Sequence, residues 1–312
     1  MAVRSLIGVF GLLLVLALVG CSPQAPGKTR LVVAIQPTLS AAEMVEKARP
    51  LEQYLEQRLG DVDVEVYVPL TQAGVIEALR FGQAHVAFMG PFPAHLAVER
   101  ADAQLVLAEV REVIHGQQKV EAPYYFSYWV VRPDSPYQKL ADLRGRRACF
   151  PSPVSSSGYI APMARLIELG LLSQPAQGEV DPKAFFSEVL FAGGYGQCWE
   201  ALKAGQVDVT IIAGDVPENL YREVLASTRV LEQQGPLPSH AVVVSKGLQE
   251  PLRSRVIEAL LGLNAPEYRP LMRQFISGLF VGFQRSDAAT HLGSFQQFVK
   301  LTRVAFTERL NP

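Results

Sequence analysis

The chain has 312 residues, of which 49% are hydrophobic and 19% are charged, and its formal net charge at pH 7 is −1. This composition is typical of a globular protein and excludes a disordered or fibrous chain. The near-zero charge and the scattered basic residues give no indication of nucleic-acid binding. The length predicts about two domains.

The N-terminus has the features of a bacterial lipoprotein signal. Arg4 precedes an apolar run, residues 6–19, which is shorter than the roughly 20 residues needed to span a bilayer. The run is followed by Gly20, a small residue directly before Cys21. We expect residues 1–20 to be cleaved as a signal peptide, with lipid on Cys21 anchoring the protein to a membrane in the periplasm or at the cell surface. An ordinary signal peptide followed by a chance cysteine is the alternative. Residues 21–30 would form a tether.

Two further cysteines, Cys149 and Cys198, lie in apolar segments of the chain. Outside the cytoplasm such a pair can be oxidised to a disulfide. Two buried free thiols fit the same sequence equally well, because free cysteine behaves as a small apolar residue. The sequence therefore leaves both possibilities open.

Strands and helices are predicted to alternate along the mature chain. The apolar run 31–38 and the alternating run 62–68 have the periodicities of strands, and an amphipathic helix lies between them. Long apolar strands are also predicted at 125–132 and 240–245. Because helical crossovers join parallel strands, we expect an α/β protein with mostly parallel sheets flanked by helices.

One unit of sequence occurs twice. Residues 77–91 read EALRFGQAHVAFMGP, and residues 200–215 read EALKAGQVDVTIIAGD. Each copy predicts a helix, a glycine that ends it, and a strand. Two copies at long separation predict two similarly built lobes, each with its own sheet, and a ligand cleft between them. Independent convergence of helix–glycine–strand joints is the alternative.

The segment Ser155, Ser156, Ser157 and Gly158 is the most informative loop. It follows a predicted strand and precedes a helix predicted to begin at Tyr159. Amide groups at the start of a helix attract anions, and serine hydroxyls add hydrogen-bond donors. This pattern predicts an oxyanion site, with a plain helix cap in a polar loop as the alternative. A nucleophilic serine is not supported, because no G-x-S-x-G elbow is present.

No pattern typical of a catalytic, metal or nucleotide site occurs in the sequence. The five histidines show no metal-ligand spacing, and there is no CxxC motif. Neither a Walker loop nor a dinucleotide-binding glycine loop is present. We therefore expect no enzymatic activity, no cofactor and no metal.

Several spaced motifs now point to a family. In order they read RPLEQYLEQRLG, AGVIEALRFGQAHVAFMGPFPAHLA, VVRPDSPYQKLADLRGRRACFPSPVSSSGY, GQVDV and GPLPSHAVVVS. Together, over residues 31 to about 264, they resemble the phosphate/phosphite/phosphonate-binding proteins of ABC importers. The resemblance implies a two-lobed periplasmic-binding-protein fold of type II that closes around its ligand. It places residues 31–130 and 240–312 in one lobe and residues 131–239 in the other.

The resemblance also implies a function and partners. The protein would capture a small oxyanion (phosphonate, phosphite or phosphate) and deliver it, as a monomer, to an ABC permease in the inner membrane. The serine loop would hold the oxyanion, Asp215 stands where an acid can meet a substrate amine, and His240 (or Ser239) stands where the family has a later acid.

Three positions depart from the family pattern. Gln72 and Met89 stand where the family has cleft tyrosines, and Tyr195 stands where it has a histidine. The first two changes remove hydroxyl donors that a buried dianion needs, and the third removes a possible cation. Three other tyrosines are candidates to replace the lost hydroxyls, with core or rim positions as the alternative: Tyr125, Tyr128 and Tyr159.

A sensory protein that presents its closed form to a histidine kinase is the alternative function. Cys198 follows Tyr195 by one predicted helical turn. Some relatives of this family resemble sensors that bind thiol-seeking oxyanions such as arsenite through a cysteine. The sequence therefore also permits an arsenite-type site at Cys198.

Overall fold

The structure is a computed structural model that describes residues 28–35, 41–275 and 278–305, without the side chains of residues 41–43, 72 and 275. The predicted signal peptide, Cys21 and residues 22–27 of the tether lie outside this range. Within the described residues, no helix combines the length and the apolar character needed to cross a bilayer.

Strands and helices alternate, as predicted. The strands are β1 Thr29–Ile35, β2 Val62–Tyr67, β3 Val86–Met89, β4 Gln104–His115, β5 Gln118–Ala122, β6 Tyr124–Val131, β7 Arg147–Phe150, β8 Glu188–Phe191, β9 Val209–Ala213, β10 Arg229–Pro238, β11 Ala241–Val244 and β12 Phe280–Arg285. The helices are α1 Ala41–Leu59, α2 Gln72–Arg80, α3 Pro91–Ala101, α4 Ala161–Glu168, α5 Tyr195–Lys203, α6 Glu218–Ser227, α7 Leu252–Gly262, α8 Arg269–Phe275 and α9 Ala288–Thr302.

The strands form two sheets that repeat one arrangement. The first runs β2-β1-β3-β11-β4-β12, with β5 paired to β4, and the second runs β8-β7-β9-β6-β10. In both, the first three strands are parallel. The next two strands are β11 and β4 in the first sheet and β6 and β10 in the second. Each of them pairs antiparallel with the strand before it in the sheet. The two-lobed α/β fold is thus confirmed, with two sheets of equivalent topology.

The duplicated sequence corresponds to a duplicated structural unit. Helix α2 and strand β3 form the first copy, and α5 and β9 form the second. Gly82 and Gly205, which follow the two helices, share a φ of +69°. This left-handed conformation favours glycine, so the same residue ends both helices for the same reason.

The strand pairing is mixed, whereas we expected mostly parallel sheets. The difference arises where the chain passes between the lobes. It enters the second sheet at β6, directly after Pro123, and returns to the first sheet at β11, directly after His240. Both returning strands pair antiparallel with the parallel set. Strand β6 therefore belongs to the second sheet, although the expected lobe boundary at residue 130 assigned it to the first.

Helix α9 connects the two lobes. It packs against α3 of the first lobe and α4 of the second. The rings of Phe92 and Phe295 lie 6.4 Å apart between α3 and α9. At its C-terminal end the carbonyl of Thr302 accepts a 2.8 Å hydrogen bond from the Val180 amide of the second lobe. The C-terminal helix is therefore shared between the lobes.

Candidate functional site

A cavity of about 400 Å³ lies between the two lobes. The first lobe contributes the start of α3, at Gly90, Pro91 and Pro93. The second lobe contributes most of the wall, including the serine loop and residues 193–195. This volume is at the small end of the range for ligand pockets and fits a small molecule.

Three helix starts meet at this cavity. Helices α3 and α5 begin after Gly90 and Gly194, and neither glycine has a side chain that could accept a hydrogen bond from the first turn. Residues 156–160 form a π-helical turn that leads directly into α4. Because the N-terminal end of a helix carries partial positive charge, this convergence favours an anion. Among the described residues that line the cavity, none is lysine or arginine.

The hydroxyl of Ser157 lies at the centre of a hydroxyl cluster. Its Oγ accepts a 3.0 Å hydrogen bond from Tyr125 and lies 2.7 Å from the Tyr195 hydroxyl. Burial raises the pKa of both tyrosines, so both phenols stay protonated. Hydroxyl groups can turn from one partner to another. The cluster can therefore offer donors to a ligand oxygen.

The other two serines hold the loop in place. The Oγ of Ser155 accepts a 3.1 Å hydrogen bond from the Gly158 amide and caps the helical turn. The Oγ of Ser156 accepts a 3.3 Å hydrogen bond from the Phe92 amide of the first lobe. A Cβ on Gly158 would lie 2.6 Å from Pro151 Cγ, so glycine is needed for this close packing. Ser156 thus links the lobes across the cavity.

A buried ion-pair group adjoins the cavity wall. The Arg111 guanidinium lies 2.9 Å from a Glu109 oxygen and 3.1 Å from an Asp215 oxygen. Arg111 and Glu109 belong to β4 in the first sheet, whereas Asp215 follows β9 in the second. Burial raises the pKa of Asp215, although Arg111 opposes this. Burial and the Arg111 charge hold the pKa of His240 well below its ordinary value, so His240 is neutral.

One family model matches residues 33–290 and is described as the phosphonate periplasmic substrate-binding protein of ABC transporters. The chain belongs to this family.

Two curated relatives support the assignment. The phosphate-import protein PhnD of Mycolicibacterium smegmatis is 31% identical over 179 residues, which are 57% of this chain and 53% of that protein. The phosphonates-binding periplasmic protein of Escherichia coli is 26% identical over 236 residues, which are 72% of this chain and 64% of that protein. The matches thus span less than two thirds of the length of these relatives.

Solved structures share the fold. A binding protein component of an ABC phosphonate transporter from Pseudomonas aeruginosa is 21% identical, with a TM-score of 0.64 over 91% of both chains. A Xanthomonas citri protein bound to ATP is 19% identical, with a TM-score of 0.69 over 88% of this chain and 98% of its own. A Prochlorococcus marinus protein in complex with methylphosphonate is 15% identical, with a TM-score of 0.65 over 88% of this chain and 99% of its own.

In this phosphonate-binding family member, most of the residues predicted for the site lie together. The following line the cavity: Ser155, Ser156, Ser157, Tyr125, Tyr195, Asp215 and His240. Gly158 does not line the cavity, but its amide donates a hydrogen bond to Ser155 Oγ. Met89 does not line the cavity, because it is fully buried in the core at the end of β3. Gln72 begins α2, but its side chain lies outside the described part of the chain.

Two of the three candidate replacement tyrosines face other parts of the molecule. Tyr128 packs against Tyr221, with ring centroids 5.8 Å apart. Tyr159 packs against Phe150 and Phe191. Only Tyr125 of the three lines the cavity. Tyr125 and Tyr195 are therefore the phenols available to a ligand there.

Glu109 and Arg111 were not predicted from the sequence as residues of the site. Both lie in β4, where they are the fully buried charged residues, whereas the neighbouring Glu112 is only partly buried. Their spacing of two places them on one face of the strand. Opposite charges at this spacing in a buried strand are a signal that could have identified them.

The two cysteines left open by the sequence form a disulfide. Cys149 of β7 is bonded to Cys198 of α5, with an S–S distance of 1.99 Å, and both residues are fully buried. A thiol-seeking oxyanion needs a free thiol. The disulfide therefore excludes, in this form of the protein, the arsenite-type site at Cys198 that the sequence permitted as an alternative. Within the described residues, no group of three or more His, Cys, Asp or Glu side chains is arranged to hold a metal.

Proposed function

We propose that the protein captures a small oxyanion, namely phosphonate, phosphite or phosphate, between its lobes and delivers it to the permease of an ABC transporter. The observation that carries this proposal is the meeting of three helix starts and a hydroxyl cluster at one interlobe cavity. Membership of the phosphonate-binding family supports it.

Binding would rest on neutral donors. Helix starts and hydroxyls stabilise an anion without a fixed positive side chain in contact with it. Buried hydrogen bonds to a charged group are each worth about 1.5–3 kcal/mol. Several of them can hold the anion, and separation of the lobes would return it to water. This arrangement suits capture and release.

Among the described residues, the site shows no catalytic set that would favour an enzyme. Ser157 has two protonated tyrosines as neighbours, and a nucleophilic serine needs a base. Among the described hydrogen bonds, none joins a histidine to a hydroxyl of the serine loop. We therefore propose binding without chemical change of the ligand.

Asp215 would recognise a substituent of the ligand outside its oxyanion group. It is the acid on a wall otherwise formed by helix starts, hydroxyls, apolar groups and the neutral His240. An aminoalkylphosphonate would place its ammonium group there. Such a ligand would gain a charge contact that methylphosphonate lacks.

The remaining parts of the proposal concern location and assembly. Lipid on Cys21 would anchor the protein in the periplasm or at the cell surface, and residues 21–30 would let the lobes reach the permease. The unit that meets the permease would be a monomer with one lobe on each side of the cavity. Closure of the two lobes would signal that ligand is bound.

Calorimetric titration tests this function. The mature chain from residue 22, unfolded and refolded to remove carried ligand, is titrated with phosphate, phosphite, methylphosphonate and 2-aminoethylphosphonate. We expect tight binding of at least one of them and a smaller radius of gyration in X-ray scattering with that ligand. Absence of binding across the panel would overturn the proposal.

A further inference from the structure

The buried charges beside the cavity do not balance. Glu109 and Asp215 are two carboxylates, and Arg111 is the guanidinium between them. The side chains are only 2%, 12% and 5% exposed, respectively. A guanidinium in a protein is always protonated. With both carboxylates ionised, the group therefore carries one surplus negative charge.

This surplus charge opposes the function proposed for the cavity. Asp215 lies on the wall to which an oxyanion would bind. Like charges in a poorly solvated site repel each other much more strongly than in water. The helix starts and hydroxyls supply partial positive charge but no full charge to offset the surplus. An oxyanion without a cationic group therefore needs one added positive charge.

The groups around Asp215 indicate which side chain can accept a proton and so supply this positive charge. The titratable and charged groups that adjoin it are Arg111 and Glu109 of β4, Tyr125 of β6, Tyr195 of α5 and His240, with His291 of α9 beside His240. The tyrosines are protonated and neutral, and His240 is neutral because burial and Arg111 lower its pKa. Glu109 has the shorter contact to Arg111 and does not line the cavity, whereas Asp215 does, so the charge of an arriving oxyanion lies nearest to Asp215. Asp215 is the remaining acceptor.

We propose that the oxyanion binds together with one proton from solvent, which is taken up by the Asp215 carboxylate, and that Glu109 imposes this requirement through Arg111 without touching the ligand. In the bound state Glu109 neutralises Arg111, and the protonated Asp215 can donate a hydrogen bond to the ligand. Glu109 is thus a specificity-determining residue for the charge of the ligand. This inference rests on the proposed function.

Proton uptake can be measured directly on the wild-type chain. Methylphosphonate is titrated above neutral pH, where it is a dianion, in two buffers that differ in enthalpy of ionisation. The slope of the observed enthalpy against the buffer enthalpy gives the number of protons taken up. We expect about one proton per ligand. Binding without proton uptake would overturn the inference and leave the oxyanion function intact.

Glu109→Gln separates this role from a structural one. The amide oxygen still accepts from Arg111, but the surplus charge is gone. We expect loss of proton uptake and roughly ten-fold tighter binding of methylphosphonate above neutral pH, because a like charge is removed. A residue that only supports the fold would give weaker binding when replaced. Unchanged or weaker binding by the folded variant would therefore contradict the role of Glu109.

Asp208→Asn is the matched control. Asp208 is a half-buried carboxylate of the second lobe that pairs with Arg147, at 3.0 Å, away from the cavity. This variant should keep both the proton uptake and the affinity of the wild type. If Glu109→Gln does not fold, Asp215→Asn provides the second test, since it must abolish the proton uptake. Failure of every oxyanion to bind the wild type would overturn the proposed function itself.

Discussion

The hydroxyl of Tyr195 lies 2.7 Å from the Oγ of Ser157 at the wall of the interlobe cavity. Ser157 has one hydroxyl proton and is also the acceptor for Tyr125. The three hydroxyls therefore share a small number of protons and must be rearranged together when a ligand oxygen arrives. They connect β6, the serine loop and α5 in one hydrogen-bonded unit.

Tyr195→Phe should weaken oxyanion binding. The phenyl ring keeps the packing, but the donor is lost, so we expect a decrease in binding free energy of about 1.5–3 kcal/mol. Calorimetric titration with the preferred oxyanion measures the change. Tyr221→Phe is the control, because Tyr221 is a buried tyrosine of the same lobe outside the cavity. Equal affinities of Tyr195→Phe and wild type would show that the Tyr195 hydroxyl does not bind the ligand.

Ser156→Ala and Ser157→Ala should each weaken binding by roughly 1–3 kcal/mol for each lost buried hydrogen bond. Ser156→Ala should also favour the open form, because its Oγ accepts the Phe92 amide across the cavity. Titration and the scattering radius with saturating ligand test both effects. Ser187→Ala, at an exposed serine of the same lobe, should change neither. Unaltered affinity in both loop variants would mean that the loop is only a helix cap.

The Cys149–Cys198 disulfide should stabilise the second lobe. It closes a loop with a sequence separation of 49, for which chain entropy predicts a stabilisation of roughly 4 kcal/mol. Reduction should lower the free energy of unfolding in urea by about this amount. The Cys149→Ala/Cys198→Ala variant should show the same stability with and without reductant. An identical unfolding midpoint for the oxidised and reduced wild type would contradict the prediction.

The fold should lose stability on acidification. Burial lowers the pKa of His240 and of His291 below the ordinary value of 6.5. The unfolded chain therefore binds more protons than the folded one, and stability falls as the pH drops below 6.5. Each histidine contributes at most about 1.4 kcal/mol per pH unit. Urea unfolding at several pH values measures the slope.

Two features refine this pH experiment. His240→Gln should reduce the slope, because it removes one of the four histidines whose pKa burial lowers, namely His85, His95, His240 and His291. An unchanged slope would show that His240 does not contribute to it. Asp215 acts in the opposite direction. Its pKa is raised in the folded protein, so its contribution to stability is present at low pH and is lost as the pH rises above 3.8.

The sequence predicted the repeated parts of the fold well. In each copy of the duplicated unit a glycine follows the helix and an apolar strand follows the glycine. Both are short-range patterns, which can be recognised in a single sequence. Strand β12 was not predicted, because its six residues lie among helices and depend on pairing with β4. Pairing between distant segments is a property of the folded chain.

The site was predicted in part for the same reason. The serine loop is a local motif, and its place at the cavity follows from the strand and the helix that flank it. Arg111 and Asp215 are far apart in sequence and meet only because β4 reaches the loop after β9. The choice between a disulfide and free thiols also depended on a contact between β7 and α5.

The position of β11 sets an order of assembly for the lobes. Strand β11 lies between β3 and β4, and the chain reaches it only after all five strands of the second sheet have been made. The second sheet can therefore be completed from one continuous segment while the first still lacks an internal strand. During synthesis from the N-terminus, the later sheet can therefore be completed first, before helix α9 packs against its lobe. A truncation between β10 and β11 should leave the second sheet whole and the first with a gap.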